Sequence, residues 1–151
     1  MNPYTKIGEL MTRKVITVSP QDALTIARDL LAANTFHHLP VVNPQGQVVG
    51  ILSNEDILKV QHAFTCFGRH EALAFNESIF ESLQVRDVMT EQVVCLLETD
   101  TILLAMGKFK ENRFHAAPVV DAQQKLLGIL STHDLLGFLF QTATEELPYL
   151  Q

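Results

Sequence analysis

Two serine–aspartate pairs at one spacing, Ser53-x-x-Asp56 and Ser131-x-x-Asp134, are the residues of this chain whose types best suit a ligand. They stand in nearly the same string, GILSNEDIL from Gly50 and GILSTHDLL from Gly128. A hydroxyl with an acid three residues on is also a helix-capping pattern, in which serine and acid satisfy unpaired N–H groups with no ligand at all. The same helix start presents further N–H groups and a positive dipole end, which suit a phosphate. A carboxylate one turn in can accept both hydroxyls of a ribose. Cap and site are compatible, and spacing alone leaves both open. Ser19-x-x-Asp22 writes the pattern a third time and reads as a plain cap, with Pro20 at the first helical position.

Other chemistry is thinner. His37 and His38 precede Pro40, and His115 precedes Pro118, with Ala116 where the first string has His38. A histidine beside a dianionic phosphate has its charged form favoured, so such a contact would make binding pH-dependent. A solvated or core-satisfied ring is the alternative reading. Adjacent histidines without Cys or His at ligand spacing predict no metal site. Ser53, Ser131 and Cys66 have no base fixed by any motif, and Glu55 and Asp56 diverge on a helix, so no catalytic pair is expected.

The elements that must position these residues come from a duplication. A shift of 78 positions, from Gly50 to Gly128, also lays IGELMT (7–12) on VRDVMT (85–90) and NTFHHLPVV (34–42) on NRFHAAPVV (112–120). The register runs without a gap through 7–58 and 85–136, with a helical connector expected over 59–84. Each copy reads as strand, helix, strand, strand, helix. VITVS (15–19) or VVCLL (93–97) leads into a helix near Asp22 or Asp100. The apolar face of that helix is Leu24, Ala27, Leu30 and Leu31, matched by Ile102, Ala105 and Phe109. HLPVV and QVVGIL, or AAPVV and LLGIL, form a hairpin around NPQGQ or DAQQK. A closing helix runs from 54 to about 67, and in the second copy from about 132 to 143. The expected fold is α/β (α+β): two β-α-β-β-α repeats related by pseudo-twofold symmetry, since one small sheet lacks enough helix to cover it.

Composition narrows the function. The net charge of −6 and the absence of a basic block remove most of the electrostatic drive for nucleic acid. The most apolar patch, LLGFLF (135–140), is too short to span a bilayer, and the start has no signal-like apolar run. Cys66 and Cys95 in apolar surroundings read as buried thiols, which fits a cytoplasmic protein.

With these strings in hand, the chain resembles a tandem cystathionine-β-synthase (CBS) domain pair, or Bateman module, of the stand-alone bacterial type. The resemblance rests on FHHLPVVNPQGQVVGILSNEDIL and FHAAPVVDAQQKLLGILSTHDLL, each preceded by its Met-Thr. It implies a regulatory module, not an enzyme, that binds an adenosine-containing ligand in the cleft between the repeats. AMP, ADP, ATP or S-adenosylmethionine would be the ligand, with no cofactor required. It also implies a homodimer acting on a protein not identifiable from sequence. The alternative is a scaffold that dimerises or docks without a ligand. Carried onto this chain, the resemblance nominates Asp56 and Asp134 for ribose and Ser53 and Ser131 for phosphate. Thr17, Val18, Pro40 and Val41 fall near the base, with Cys95, Leu96, Pro118 and Val119 in the second copy. His38, and less directly His37 and His115, stand where a basic residue meets phosphate. Ala116 in place of His38, and Cys95 in place of Thr17, predict unequal sites, the first the stronger.

Overall fold

In each copy the Pro-Val-Val and Gly-Ile-Leu-Ser strings pair as an antiparallel hairpin, as β-branched runs on either side of a turn should. The structure is a computed structural model that describes residues 2–62 and 77–146, with side chains as far as 141. Strand β1 (His38–Val42) pairs with β2 (Val48–Ser53), and β4 (Ala116–Val120) with β5 (Leu126–Ser131). Both hairpins keep one register: His38 faces Ser53, Pro40 faces Ile51, Ala116 faces Ser131 and Pro118 faces Ile129. The turns close alike. Asn43 Oδ1 accepts from the Gln45 and Gln47 amides, and Asp121 Oδ1 from those of Gln123 and Lys125. Each turn needs one left-handed residue: Gly46 at φ +78° in the first, Gln124 at φ 64° in the second, where a side chain makes that conformation more costly.

The leading strands are shorter than the sequence predicts. In the second copy only Leu96–Leu97, strand β3, runs parallel to β4. In the first copy 15–19 shrinks to a single bridge, Val18 to Val41, because the chain turns immediately afterwards. That turn is held by the Ser19 amide on Asp22 Oδ2 at 2.8 Å. The helix starts later, as α1 (Leu24–Ala33), with Ala23 at its N-cap and no capping side chain. Ser19-x-x-Asp22 is therefore a turn clasp, not the helix cap expected of it; the Ser19 hydroxyl bonds Gln21 instead. In the second copy α3 (Ile102–Asn112) is capped by Thr101, whose Oγ1 accepts from the Leu104 amide. Helices α2 (Asn54–His62) and α4 (Thr132–Glu146) start directly after β2 and β5. No helix among the described residues is long and apolar enough to cross a membrane.

The chain divides into two compact units, 16–93 and 1–15 with 94–151. Each unit thus holds the body of one copy and the leading segment of the other. In the first unit, the 3-10 turn Val85–Asp87 docks through Val85 N to Asp22 O (2.9 Å) and Arg86 N to Pro20 O (3.0 Å). In the second, the turn Ile7–Glu9 makes the matching bonds, Ile7 N to Asp100 O (2.9 Å) and Gly8 N to Glu98 O (3.0 Å). Thr90 then bridges Ile51, and Thr12 bridges Ile129. Val85 and Ile7 are fully buried in their hosts' cores. Around Val85 pack Leu24, Ala27, Leu31, Leu39, Leu52 and Ile57; around Ile7 pack Leu96, Ile102, Ala105, Phe109 and Leu130.

This docking explains the glycines of the repeated string. A Cβ on Gly50 would meet Met89 Sδ at 2.5 Å, and one on Gly128 would meet Met11 Sδ at 2.7 Å and the Thr12 carbonyl oxygen at 2.8 Å. Most of the connector, with Cys66, lies outside the described residues. Its end, 77–82, is helical and buries Phe80 under the Arg28 guanidinium, 5.1 Å from the ring centroid. Burial works against the Arg28 charge, but hydrogen bonds and charge from Asp29 and Glu77 outweigh it and raise its pKa.

Candidate functional site

Ser53 ends β2 and α2 begins at the next residue, so the hairpin delivers a helix start to its own open end. The Ser53 amide and hydroxyl both donate to Asp56 Oδ2, at 2.9 and 2.7 Å, and the Asp56 amide donates back to Ser53 Oγ at 3.2 Å. This is a reciprocal cap. It consumes one carboxylate oxygen and leaves Oδ1 outside it, with Lys59 Nζ 3.7 Å away. Lys59 also lies 3.4 Å from Glu55 and is mostly exposed, so both pairings are weak surface contacts. The second unit repeats the cap. Ser131 N and Oγ donate to Asp134 Oδ2 at 2.7 and 2.6 Å, and Asp134 N donates to Ser131 Oγ at 3.2 Å.

The residues expected near the base lie on the adjacent strand edge. Val18 N donates to Pro40 O (3.2 Å) and Val42 N to Val18 O (2.9 Å), which draws Thr17 and Val18 beside Pro40 and Val41. Leu96–Leu97 holds Cys95 in the same way beside Pro118 and Val119. The side chains of Val18, Val41 and Val119 belong to the cores, so only their backbone is available to a ligand. Along a strand alternate residues share a face, which puts His38 with Pro40 and opposite Ser53. His37 is exposed; its carbonyl accepts from the Asn54 amide at 3.0 Å, and its Nδ1 lies 3.0 Å from Asn54 Nδ2. The His115 carbonyl likewise accepts from the Thr132 amide, at 2.9 Å. Within the first unit the structure brings together Thr17, Val18, Pro40 and Val41 along one edge, and His37, His38, Ser53 and Asp56 at the hairpin end. The second unit does the same with Cys95, Pro118 and Val119, and with His115, Ser131 and Asp134.

Two lysines that the motifs do not single out differ between the units. Lys59 has Gly137 as its counterpart, and Lys108 has Leu30. Lys108 Nζ donates to the Cys95 carbonyl at 3.3 Å and stands 3.8 Å from Asp100. Burial pushes the Cys95 thiol above its ordinary range, with the Lys108 charge pulling the other way. Aligning the two copies residue by residue, not by motif, exposes both lysines. Among the described residues no three His, Cys, Asp or Glu side chains are grouped to hold a metal ion.

The chain is similar to known proteins over most of its length. The chain is 30% identical over 132 residues to a homoserine O-acetyltransferase of Methanococcoides burtonii, covering 87% of this chain and 24% of that protein. It is also 30% identical over 126 residues to the human 5'-AMP-activated protein kinase subunit gamma-3, covering 82% of this chain and 25% of that one. The chain thus spans about a quarter of the length of these curated relatives. Among solved structures it is similar to CBSX2, a protein of Arabidopsis thaliana, in complex with AMP. That match has a TM-score of 0.76 and 26% identity, and covers 91% of this chain and 98% of that one. The CBS domain model matches residues 7–63 and again 85–141, so the chain belongs to the CBS-domain family and carries two CBS domains in tandem.

Proposed function

We propose that the chain is a regulatory module, not an enzyme, that senses an adenosine-containing ligand at its Ser-x-x-Asp helix starts. The observation that carries this reading is the pair of reciprocal caps, which fix each carboxylate through Oδ2 and leave Oδ1 outside the cap. A fixed carboxylate oxygen suits the ribose hydroxyls, and the helix start suits the phosphate. The similar CBSX2 structure contains AMP, which supports an adenine nucleotide here. Regulation then requires the ligand to prefer one conformation, since equal affinity for two states shifts neither. In this reading a homodimer conveys occupancy to a target protein.

Titration calorimetry with AMP, ADP, ATP and S-adenosylmethionine tests the reading. Binding by the wild type is expected, with a loss of about tenfold or more in Asp56→Ala, the scale of a hydrogen bond to a charged group. No binding by any of the four, or unchanged affinity in both Asp56→Ala and Asp134→Ala, contradicts it. A second reading, a scaffold without ligand, draws on the exposed Leu136 and Phe140 of α4 (63% and 68% accessible). A rise in melting temperature with ligand excludes that scaffold.

A further inference from the structure

The two helix starts have the same bonds but different charges around them. In the first unit Lys59 lies 3.7 Å from Asp56 Oδ1, and His38 faces Ser53 across the hairpin. In the second unit Gly137 and Ala116 occupy those two positions, and Ala116 is buried. Among the described residues no lysine or arginine pairs with Asp134. His133, the neighbour of Asp134, is exposed and stands about 100° further round the helix. Lys108, which the second unit has where the first has Leu30, is tied to the Cys95 carbonyl and stands 3.8 Å from Asp100.

Resting on the ligand-sensing reading above, we infer that the two units take different ligand classes: an adenosine phosphate at Asp56, and an adenosyl compound without phosphate at Asp134. The physical reason is charge balance at the carboxylate. A ribose that docks on Asp56 Oδ1 displaces the Lys59 ammonium, which is three residues along the same helix face and so remains within reach of the ligand's phosphate. The phosphate then meets the Lys59 cation and the His38 ring at the positive end of the helix dipole. Among the described residues no lysine or arginine at Asp134 offsets the repulsion between carboxylate and phosphate, whereas a neutral nucleoside or a sulfonium meets no such repulsion. Lys59 is therefore a specificity-determining residue, set by its presence in one copy and absence from the other.

Calorimetry with AMP, and separately with S-adenosylmethionine, on the intact chain reads the inference. Wild type takes up one AMP per chain, lost in Asp56→Ala and kept in Asp134→Ala; S-adenosylmethionine shows the reverse dependence. Lys59→Gly weakens AMP about tenfold, as for a lost charge-assisted contact, and leaves S-adenosylmethionine within about twofold. Gly137→Lys is the complementary variant. Nothing lies within 4 Å of a Cβ at that exposed position, so the new side chain fits, and AMP uptake rises toward two per chain. Two equal AMP sites in wild type, or equal effects of Lys59→Gly on both ligands, overturn the inference while leaving the sensing reading intact. Failure of wild type to bind either ligand overturns both.

Discussion

The first unit, 16–93, and the second, 1–15 with 94–151, are closed by matching main-chain bonds. Ile51 N to Thr90 O and Ile129 N to Thr12 O are both 3.0 Å, and Val85 and Ile7 dock on Asp22 and Asp100 at 2.9 Å. Their side-chain charges do not match. Arg28, stacked on Phe80 and paired with Glu77, has the exposed Met106 as its counterpart; Lys59 has Gly137, and Lys108 has Leu30. The difference teaches what each layer is for. Backbone docking, caps and glycines recur because each unit needs the other copy's leading segment to close its core. On the proposed reading, the divergence of Lys59 bears on what the helix start of the first unit receives.

The matching half of that comparison can be broken first. Ile7→Ala empties a fully buried position in the second unit and should cost about 2–5 kcal/mol, the range for large-to-small core changes. Val85→Ala, which removes less, should cost less in the first unit. Denaturant unfolding with hydrogen exchange locates the loss; protection lost around 94–131 with 16–62 unaffected is expected for Ile7→Ala, and loss confined to residues near 16–62 would refute the exchange of segments.

Glycine substitution sharpens the same point at smaller scale. Gly128→Ala must push aside the Thr12 carbonyl oxygen at 2.8 Å, whereas Gly50→Ala presses mainly on the Met89 thioether, with Thr90 O at 3.2 Å. Overpacking of about 1–3 kcal/mol is expected for Gly128→Ala and less for Gly50→Ala, since a side chain yields more readily than backbone. Melting curves that reverse this order would contradict it. The smallest effect belongs to the caps: Ser53→Ala and Ser131→Ala should each cost about 1 kcal/mol, and equally, because their bond lengths agree within 0.1 Å. A wide gap between the two, measured without ligand, would show that the helix starts differ in more than charge.

Much of this fold is legible in the sequence, for physical reasons. HLPVV and AAPVV form strands over 38–42 and 116–120 as expected, since a β-branched run before an Asn or Asp turn has few alternatives. The family is legible too, because a gapless duplication preserves loops as well as cores. The segments 15–19 and 93–97 pair over fewer residues than their composition suggests; their pairing depends on a sharp turn at Asp22 or Asp100 that local propensity does not reveal. Ser19 shows the limit of a spacing rule. The same Ser-x-x-Asp makes a cap at Ser53 and a turn clasp at Ser19, and the decision lies with whether a helix begins at the next residue. The exchange of 7–12 and 85–90 is out of reach of the sequence, since each copy alone carries a complete motif set. Lys108 is hidden because its partner, the Cys95 carbonyl, lies 13 residues back and is met only in the fold.

The central claim is that Asp56 is a cap whose remaining oxygen receives the ribose of an adenosine phosphate. A crystal structure of the chain grown with AMP tests it most directly. Ribose hydroxyls are expected within hydrogen-bond distance of Asp56 Oδ1, with Lys59 moved off that oxygen toward the phosphate and the Ser53–Asp56 bonds intact. AMP bound away from Asp56, or bound there with Lys59 still on the carboxylate and the phosphate turned to solvent, would contradict it.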